Sequence, residues 1–508
     1  MLADRFFDNA RTLQNQTAIW NDGHSVTYGE LEKMVRNISE SFINCGIKYG
    51  DHVGIIMHNS ITFVAVMLAI ANIGAAMAPL NPRLQKQAIL KAFYSADVKH
   101  IVAPSSFLDE IKDIESFQGA FLSYNENDKN IMTISEFAKS RIQSSSQQET
   151  KEITGDEPYI LSMTSGSISA PKPIIFTQRT KYNRVNSAAE IYGITSNDRI
   201  LVATPMFHSL SQRFVLVPLL LGGTSILMTR YSPELWIKTV SEERVSFTVA
   251  FSSQLALISS ILPKVSSFQM DSLRCIASSL APISPEVKAE LLANLSCEIH
   301  ENYGTSEVSF ISDLNITTDN HKLRSVGRPI PRVEVRIMKE DGTEAAVGEK
   351  GEIQCNTPFL FGGYYKNPEQ TEKSMQEGYF RTGDLGYMDE EGYLYYSGRT
   401  KDMIVTGAIK VFPIDIEKAV MELSSVRECA AFGFPDERLG EVVALAVVPE
   451  QHEALSIREL KSHCLENLAD YQMPRKYFIT DSLPKNAMGK LVRGEIVEKF
   501  KGNKDNGV

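Results

Sequence analysis

The sequence predicts an α/β protein with a large N-terminal domain of parallel-rich sheets, a small β-rich subdomain, and a small C-terminal α+β domain. Three observations carry this expectation. Short apolar runs alternate with helical patterns through the first half, the rhythm of strands buried on both faces by helices. From about Val333 the texture changes to short strands broken by glycine. After 398, helical and strand patterns return within about a hundred residues, enough for a separate domain.

Taken in order, 51–57 (DHVGIIM) reads as a buried strand after the turn residues Tyr49 and Gly50. An apolar helix starts at Ile61, and 76–80 (AMAPL) reads as the next strand. The same rhythm recurs in KHIVAP, DRILVATP, TSILMT and SFTVAF. The uncharged stretch 61–80 is long enough to cross a bilayer. It is rich in alanine, lacks a basic N-terminal flank and runs into Pro79-Leu80-Asn81-Pro82, so a buried helix leading into a strand is expected, and no membrane span. The polar, serine-rich 141–156 reads as a surface linker. VEVRIM, GEIQC, FGGYY and YLYYSG then give the strands of a subdomain over about 333–398. The domains expected are therefore 1–398 and 399–508.

A chain of 508 residues is too long for one ordinary core. Lys and Arg total 52 against 62 Asp and Glu, so the net charge of −10 argues against broad nucleic-acid binding. Six scattered cysteines without metal-ligand spacing read as free thiols of a reducing compartment. The first residues carry no secretory pattern and the last, NKDNGV, no peroxisomal or lipidation signal, so a cytoplasmic location is expected.

The first chemical signal is LSMTSGSISAPKP at 161–173. Hydroxyls at Thr164, Ser165, Ser167 and Ser169, the freedom of Gly166 and the ammonium of Lys172 suit phosphate oxygens, although the spacing is not that of a P-loop. In isolation such a segment is as readily a plain turn. Its company is more specific: VTYGEL (26–31), GAAMAPLNPRL (74–84), PMFHS (205–209) and YGTSE (303–307). GYYKNPEQT (363–371), YFRTGDLG (379–386), GRTKDMIVTG (398–407), VFPIDIE (411–417), DYQMP (470–474) and PKNAMGK (484–490) follow. In this order the series resembles the adenylate-forming superfamily of acyl- and aryl-CoA synthetases, peptide-synthetase adenylation domains and luciferases, and in motif character acyl-CoA ligases most.

The resemblance implies ATP-dependent conversion of a carboxylic acid to an acyl-AMP with pyrophosphate release, then acyl transfer to a thiol. It implies that Tyr303 stacks on adenine, with Asn302, Gly304 and the 278–282 loop (Ser279, Ala281) around it. Ser306 would bond a phosphate, Glu307 would hold Mg2+, and Asp384 and Arg399 would bind the ribose. Lys490 would sit between the carboxylate and the α-phosphate. A mobile C-terminal domain would turn about Asp402, replacing Lys490 by Thr406, Gly407, Ala408 and Lys410, which would line a thiol tunnel. These residue types suit the chemistry. Attack of a carboxylate on phosphorus brings two anions together, which a lysine and a divalent cation neutralise.

Three departures stand out. Ser167, Ile168, Ser169 and Pro173 replace residues of the usual TSGTTGxPKG loop, stiffening it and removing one N–H. Leu280 and Ala408 stand where glycine is common. The altered loop supports a catalytically silent nucleotide or acyl binder as the alternative from another class; retained Glu307, Asp384, Arg399 and Lys490 support an active enzyme. His208 after Phe207, where amino-acid-activating members commonly carry Asp, favours an acid without an α-amino group. His208 is a candidate catalytic residue that would gate the acyl pocket, with a core histidine bonded to backbone as the alternative. His208, Ala250, Ser279, Leu280, Gly304 and Val308 would wall the acyl pocket. The wall segments 208–212, 250–254, 278–280 and 304–309 hold no fixed cation, so a monocarboxylic acid is expected. The thiol would belong to coenzyme A or to the phosphopantetheine of a carrier protein, which leaves an acyl-carrier-protein ligase as the nearer alternative.

Overall fold

The computed structural model describes residues 1–111, 119–124, 135–136, 152–163, 173–264, 270–279, 281–406, 409–436, 438–450, 455–486 and 490–501. These fall into two compact units. The first comprises Met1–Leu323, Ile330–Val333 and Thr357–Met375, and the second Arg324–Pro329, Glu334–Asn356 and Gln376–Val508.

The first unit holds two sheets. In one, neighbouring strands run Ser309–Asn315, Glu298–Thr305, Cys275–Ser279, Phe247–Phe251, Arg199–Val202, Thr224–Leu227, Thr17–Asn21 and His24–Thr27. Pairing is parallel from Glu298–Thr305 across to Thr17–Asn21 and antiparallel at either end. The other sheet runs Ser135–Glu136, Phe121–Tyr124, His100–Pro104, His52–Ile56, Ala76–Leu80, Pro158–Met163 and Pro173–Thr177. It too is parallel in its centre with antiparallel margins. Central strands such as His52–Ile56 and Ala76–Leu80 are buried along their whole length, which is why they read as unbroken apolar runs.

The apolar helix is Ile61–Ile73, with every residue from Phe63 to Ala71 buried. Ser60 caps it by accepting from Phe63 N at 3.1 Å, and Gly74 ends it at φ 69°, a left-handed turn that glycine adopts freely. Among the described residues no helix is long and apolar enough to cross a membrane. The strands expected in the first half all form. All six cysteines are buried thiols.

In the second unit, Glu334–Met338, Gly351–Asn356 and Tyr379–Met388 pair antiparallel, and Leu394–Arg399 extends the sheet from Tyr379–Met388. Here the sequence reading needs two corrections. FGGYY is a loop of the first unit, with Tyr364 bridging Ile174, because its two glycines offer no side chains to pack across a sheet. YFRTGDLG, read only as a motif, lies inside the ten-residue strand Tyr379–Met388. The remaining sheet is built on the long antiparallel pair Val426–Asp436 and Gly440–Pro449, with Lys476–Ile479 parallel to the latter. Helices Pro413–Val420, Ile457–Asn467 and Arg493–Lys501 accompany it. Only 152–156 of the expected linker is described.

Candidate active site

In the first unit, the candidate residues gather at the carboxyl ends of adjacent parallel strands. Ala250 pairs in register with Ser278, and Ser278 with Glu301, so Ala250, Ser279 and Asn302 share one edge. Ligands of open α/β sheets bind at such edges. The hairpin from Glu298–Thr305 to Ser309–Asn315 then carries Tyr303, Gly304, Ser306, Glu307 and Val308. Tyr303 is half-buried, whereas Gly304 and Ser306 are exposed. Gly304 is required by contact: a Cβ there would meet the Ser309 carbonyl oxygen at 1.9 Å.

A polar frame holds this edge. Tyr192 Oη donates to Asn302 Oδ1 at 2.9 Å, and Asn302 Nδ2 donates to Asp313. Behind it the buried pair Lys288–Glu301 closes at 2.5 Å, and Glu301 Oε1 accepts from Ile283 N, tying down the chain just beyond Ala281. Arg184 donates to the carbonyls of Ser306 at 3.1 Å, Glu307 at 2.8 Å and Phe359 at 2.9 Å. Tyr364 Oη donates to Glu307 Oε1 at 3.0 Å, and burial followed by the Glu307 charge pushes its phenol pKa up. Glu307 Oε2 makes no hydrogen bond among the described residues. A half-buried carboxylate with one oxygen so placed fits a hard cation such as Mg2+.

His208 stands at the N-terminus of Ser209–Leu221, its ring 4.3 Å from Phe207 and 6.1 Å from Phe251. Burial lowers its pKa to about 4. Its Nε2 is buried without a hydrogen-bond partner among the described residues.

In the second unit, Asp384 and Arg399 are cross-strand partners joined by a 2.8 Å ion pair, with Asp384 buried. Lys490 is largely exposed, yet its ammonium lies in their field. Desolvation and the Arg399 guanidinium lower its pKa, while Asp384 pulls the other way. Backbone and side-chain hydrogen bonds join Asn486 and Lys490. Asp402 ion-pairs with Arg493 Nε at 3.6 Å, and Arg493 grips Glu417 with two nitrogens at 2.8 and 3.0 Å. Thr406 pairs with Gly440, and exposed Lys410 pairs with Glu340. Thr164, Ser165, Gly166, Ser167, Ser169, Lys172, Leu280, Gly407 and Ala408 lie outside the described residues.

Sequence reasoning missed Arg184, Tyr364, Glu417 and Arg493. Glu417 and Tyr364 fall inside quoted motifs, which was the available signal; the two arginines meet their partners only through the fold.

The AMP-binding enzyme family matches residues 6–365, and its AMP-binding enzyme C-terminal domain matches residues 415–490. A long-chain-fatty-acid–CoA ligase of Mycobacterium tuberculosis is 28% identical over 94% of this chain and 93% of its own. A feruloyl-CoA synthase of an Amycolatopsis species is 28% identical over 97% of each. The o-succinylbenzoate CoA synthetase of Bacillus subtilis, solved with its acyl-adenylate intermediate, superposes with TM-score 0.85 and 26% identity over 99% of both chains. An amide bond synthetase of Marinactinospora thermotolerans gives TM-score 0.85 and 25% identity over 98% of this chain and 99% of its own. The chain belongs to the AMP-binding enzyme family.

Proposed function

We propose that the protein is an AMP-forming acid–CoA ligase. It joins a carboxylic acid to ATP as an acyl-AMP, releasing pyrophosphate, and then passes the acyl group to coenzyme A, releasing AMP. The observation that supports this most is the grouping of Lys490 with the Asp384–Arg399 pair. An aspartate that can accept two hydroxyls lies beside a lysine whose charge can meet a phosphate and a carboxylate.

In the first step a carboxylate oxygen attacks the α-phosphorus, the bond to the β-phosphate oxygen breaks, and pyrophosphate leaves. Lys490 offsets the charge of the approaching anions, Asp384 and Arg399 hold the ribose, and Tyr303 with Asn302 holds the base. Glu307, oriented by Tyr364 and Arg184, would hold Mg2+, which when bound shields phosphate charge. In the second step the thiol sulfur attacks the acyl carbon, AMP leaves and the thiol proton passes to solvent. Residues 399–508 would turn about Asp402 between steps, bringing Thr406, Gly407, Ala408 and Lys410 toward the thiol. His208, neutral at physiological pH, would wall the acyl pocket with Ala250, Ser279, Leu280, Gly304 and Val308, and the acid would lack an α-amino group.

Product analysis tests the reading: incubation with ATP, Mg2+, an acid and coenzyme A yields AMP, pyrophosphate and a thioester. Release of ADP and phosphate would contradict it. Thioester formed on a carrier protein's phosphopantetheine but not on coenzyme A would favour the carrier-protein alternative. An amide bond synthetase among the structural relatives makes an amine control necessary, since amide formation without thioester would reassign the second step.

A further inference from the structure

Two helices of the first unit, Gln178–Tyr192 and Ser209–Leu221, bury three cations: Lys181, Arg184 and Arg213 are 1%, 1% and 4% exposed. No carboxylate lies within ion-pair distance of any of them among the described residues. Lys181 Nζ is held by Ser209 Oγ at 2.8 Å and Gln212 Oε1 at 2.9 Å. Arg184 spends its guanidinium on three backbone carbonyls. All three lie over an aromatic ring, Lys181 and Arg184 over Phe176 at 4.8 and 4.6 Å and Arg213 over Phe310 at 4.4 Å. Arg213 differs in making no hydrogen bond to the described residues, its Nε being buried and unpartnered.

A guanidinium has five donors and is not relieved by losing its proton. Buried charges are ordinarily paired. Burial and the two neighbouring guanidiniums push the Lys181 pKa well below its ordinary value, which leaves the arginines as the fixed charges without a counter-ion. The cluster adjoins the segments that wall the acyl pocket in the functional reading. Ser209 and Gln212 belong to 208–212, Ser306 and Glu307 to 304–309, and Phe310 is the strand partner of Gly304. Arg213 lies one residue beyond the wall segment 208–212, which itself holds no fixed cation.

We infer that Arg213, set against Phe310 and backed by Lys181 and Arg184, binds a second anionic group at the far end of the acid, so that the substrate is a dicarboxylate-type acid. This rests on the acid-activating reading above and replaces the monocarboxylic expectation. Phe310 would pack the apolar or aromatic body that separates the two carboxylates, and Lys181 would keep Gln212 from competing for Arg213.

The test is ATP–pyrophosphate exchange over matched pairs of acids, each with a distal carboxylate or its methyl ester, using wild type, Arg213→Met and Arg213→Lys. Wild type is expected to prefer the diacid. Arg213→Met lowers its kcat/KM about 100-fold while the ester is retained or gains, and Arg213→Lys falls between. Thermal melts establish that each variant is folded; if Arg213→Met is not, the Lys variant and the wild-type diacid preference decide. Wild-type preference for the monoester, or equal loss on both acids, overturns the inference but leaves the ligase reading intact. A raised KM for ATP without discrimination between acids also overturns it, assigning the cation to the nucleotide. Should no acid support exchange, the ligase reading fails and the diacid's effect on melting temperature decides the subsite. A rise in wild type but not in Arg213→Met upholds it, and no rise overturns it.

Discussion

The His208 imidazole lies between Phe207 and Phe251, and burial lowers its pKa to about 4, against 6.5 for a free histidine. The sign follows from proton binding. Between pH 6.5 and 4 the unfolded chain takes up the proton and the folded chain does not, so the associated stability is complete above 6.5 and lost as pH falls toward 4. At pH 5 the loss is about 1–2 kcal/mol after allowance for partial exposure. Melting of His208→Gln at pH 7 and pH 5 checks this: the variant should lose less stability on acidification than wild type. Lys490 makes the opposite kind of prediction, on rate. Its pKa lies below the ordinary lysine value, so adenylation should fall on a basic limb below pH 10.5. Lys490→Arg, which stays charged, should lose that limb. A limb unchanged in this variant would assign the titration to another group.

At the scale of elements, the hairpin from Glu298–Thr305 to Ser309–Asn315 depends on Gly304. Gly304→Ala would force a Cβ into the Ser309 carbonyl, and backbone cannot yield as a side-chain tip can. A loss of about 3 kcal/mol is expected, read as a lower melting temperature or insoluble protein. In the second unit, Arg493 links Asp402 to Glu417, so Arg493→Ala should cost about 2 kcal/mol and raise hydrogen exchange in Pro413–Val420 first. Exchange unchanged in that helix would show the link to be incidental. Central strands such as His52–Ile56 were legible because burial on both faces imposes an unbroken apolar run. FGGYY was misread because aromatic residues beside glycine look strand-like wherever a loop packs them. Arg493 was invisible because Asp402 and Glu417 reach it only through tertiary structure. Arg213 is hidden for a related reason: it lies one residue beyond the wall segment 208–212, and its burial is set by tertiary packing.

For the whole molecule, most of the family resemblance was legible because the motifs are local and ordered: each chemical group is presented by a turn or strand end of a few residues. What local sequence could not show is which groups each compact unit assembles for itself. The first unit brings together Asn302, Tyr303, Ser306 and Glu307, and the second Asp384, Arg399 and Lys490. The proposed adenylation draws on residues of both units, and that chemistry is the central claim. The most direct measurement is carboxylate-dependent ATP–pyrophosphate exchange in wild type and Lys490→Ala. Exchange with a preferred acid is expected, reduced about 100-fold or more in the variant, which still makes thioester from supplied acyl-AMP. Measurable ATP binding with no exchange for any acid would contradict it and leave a nucleotide-binding protein without turnover.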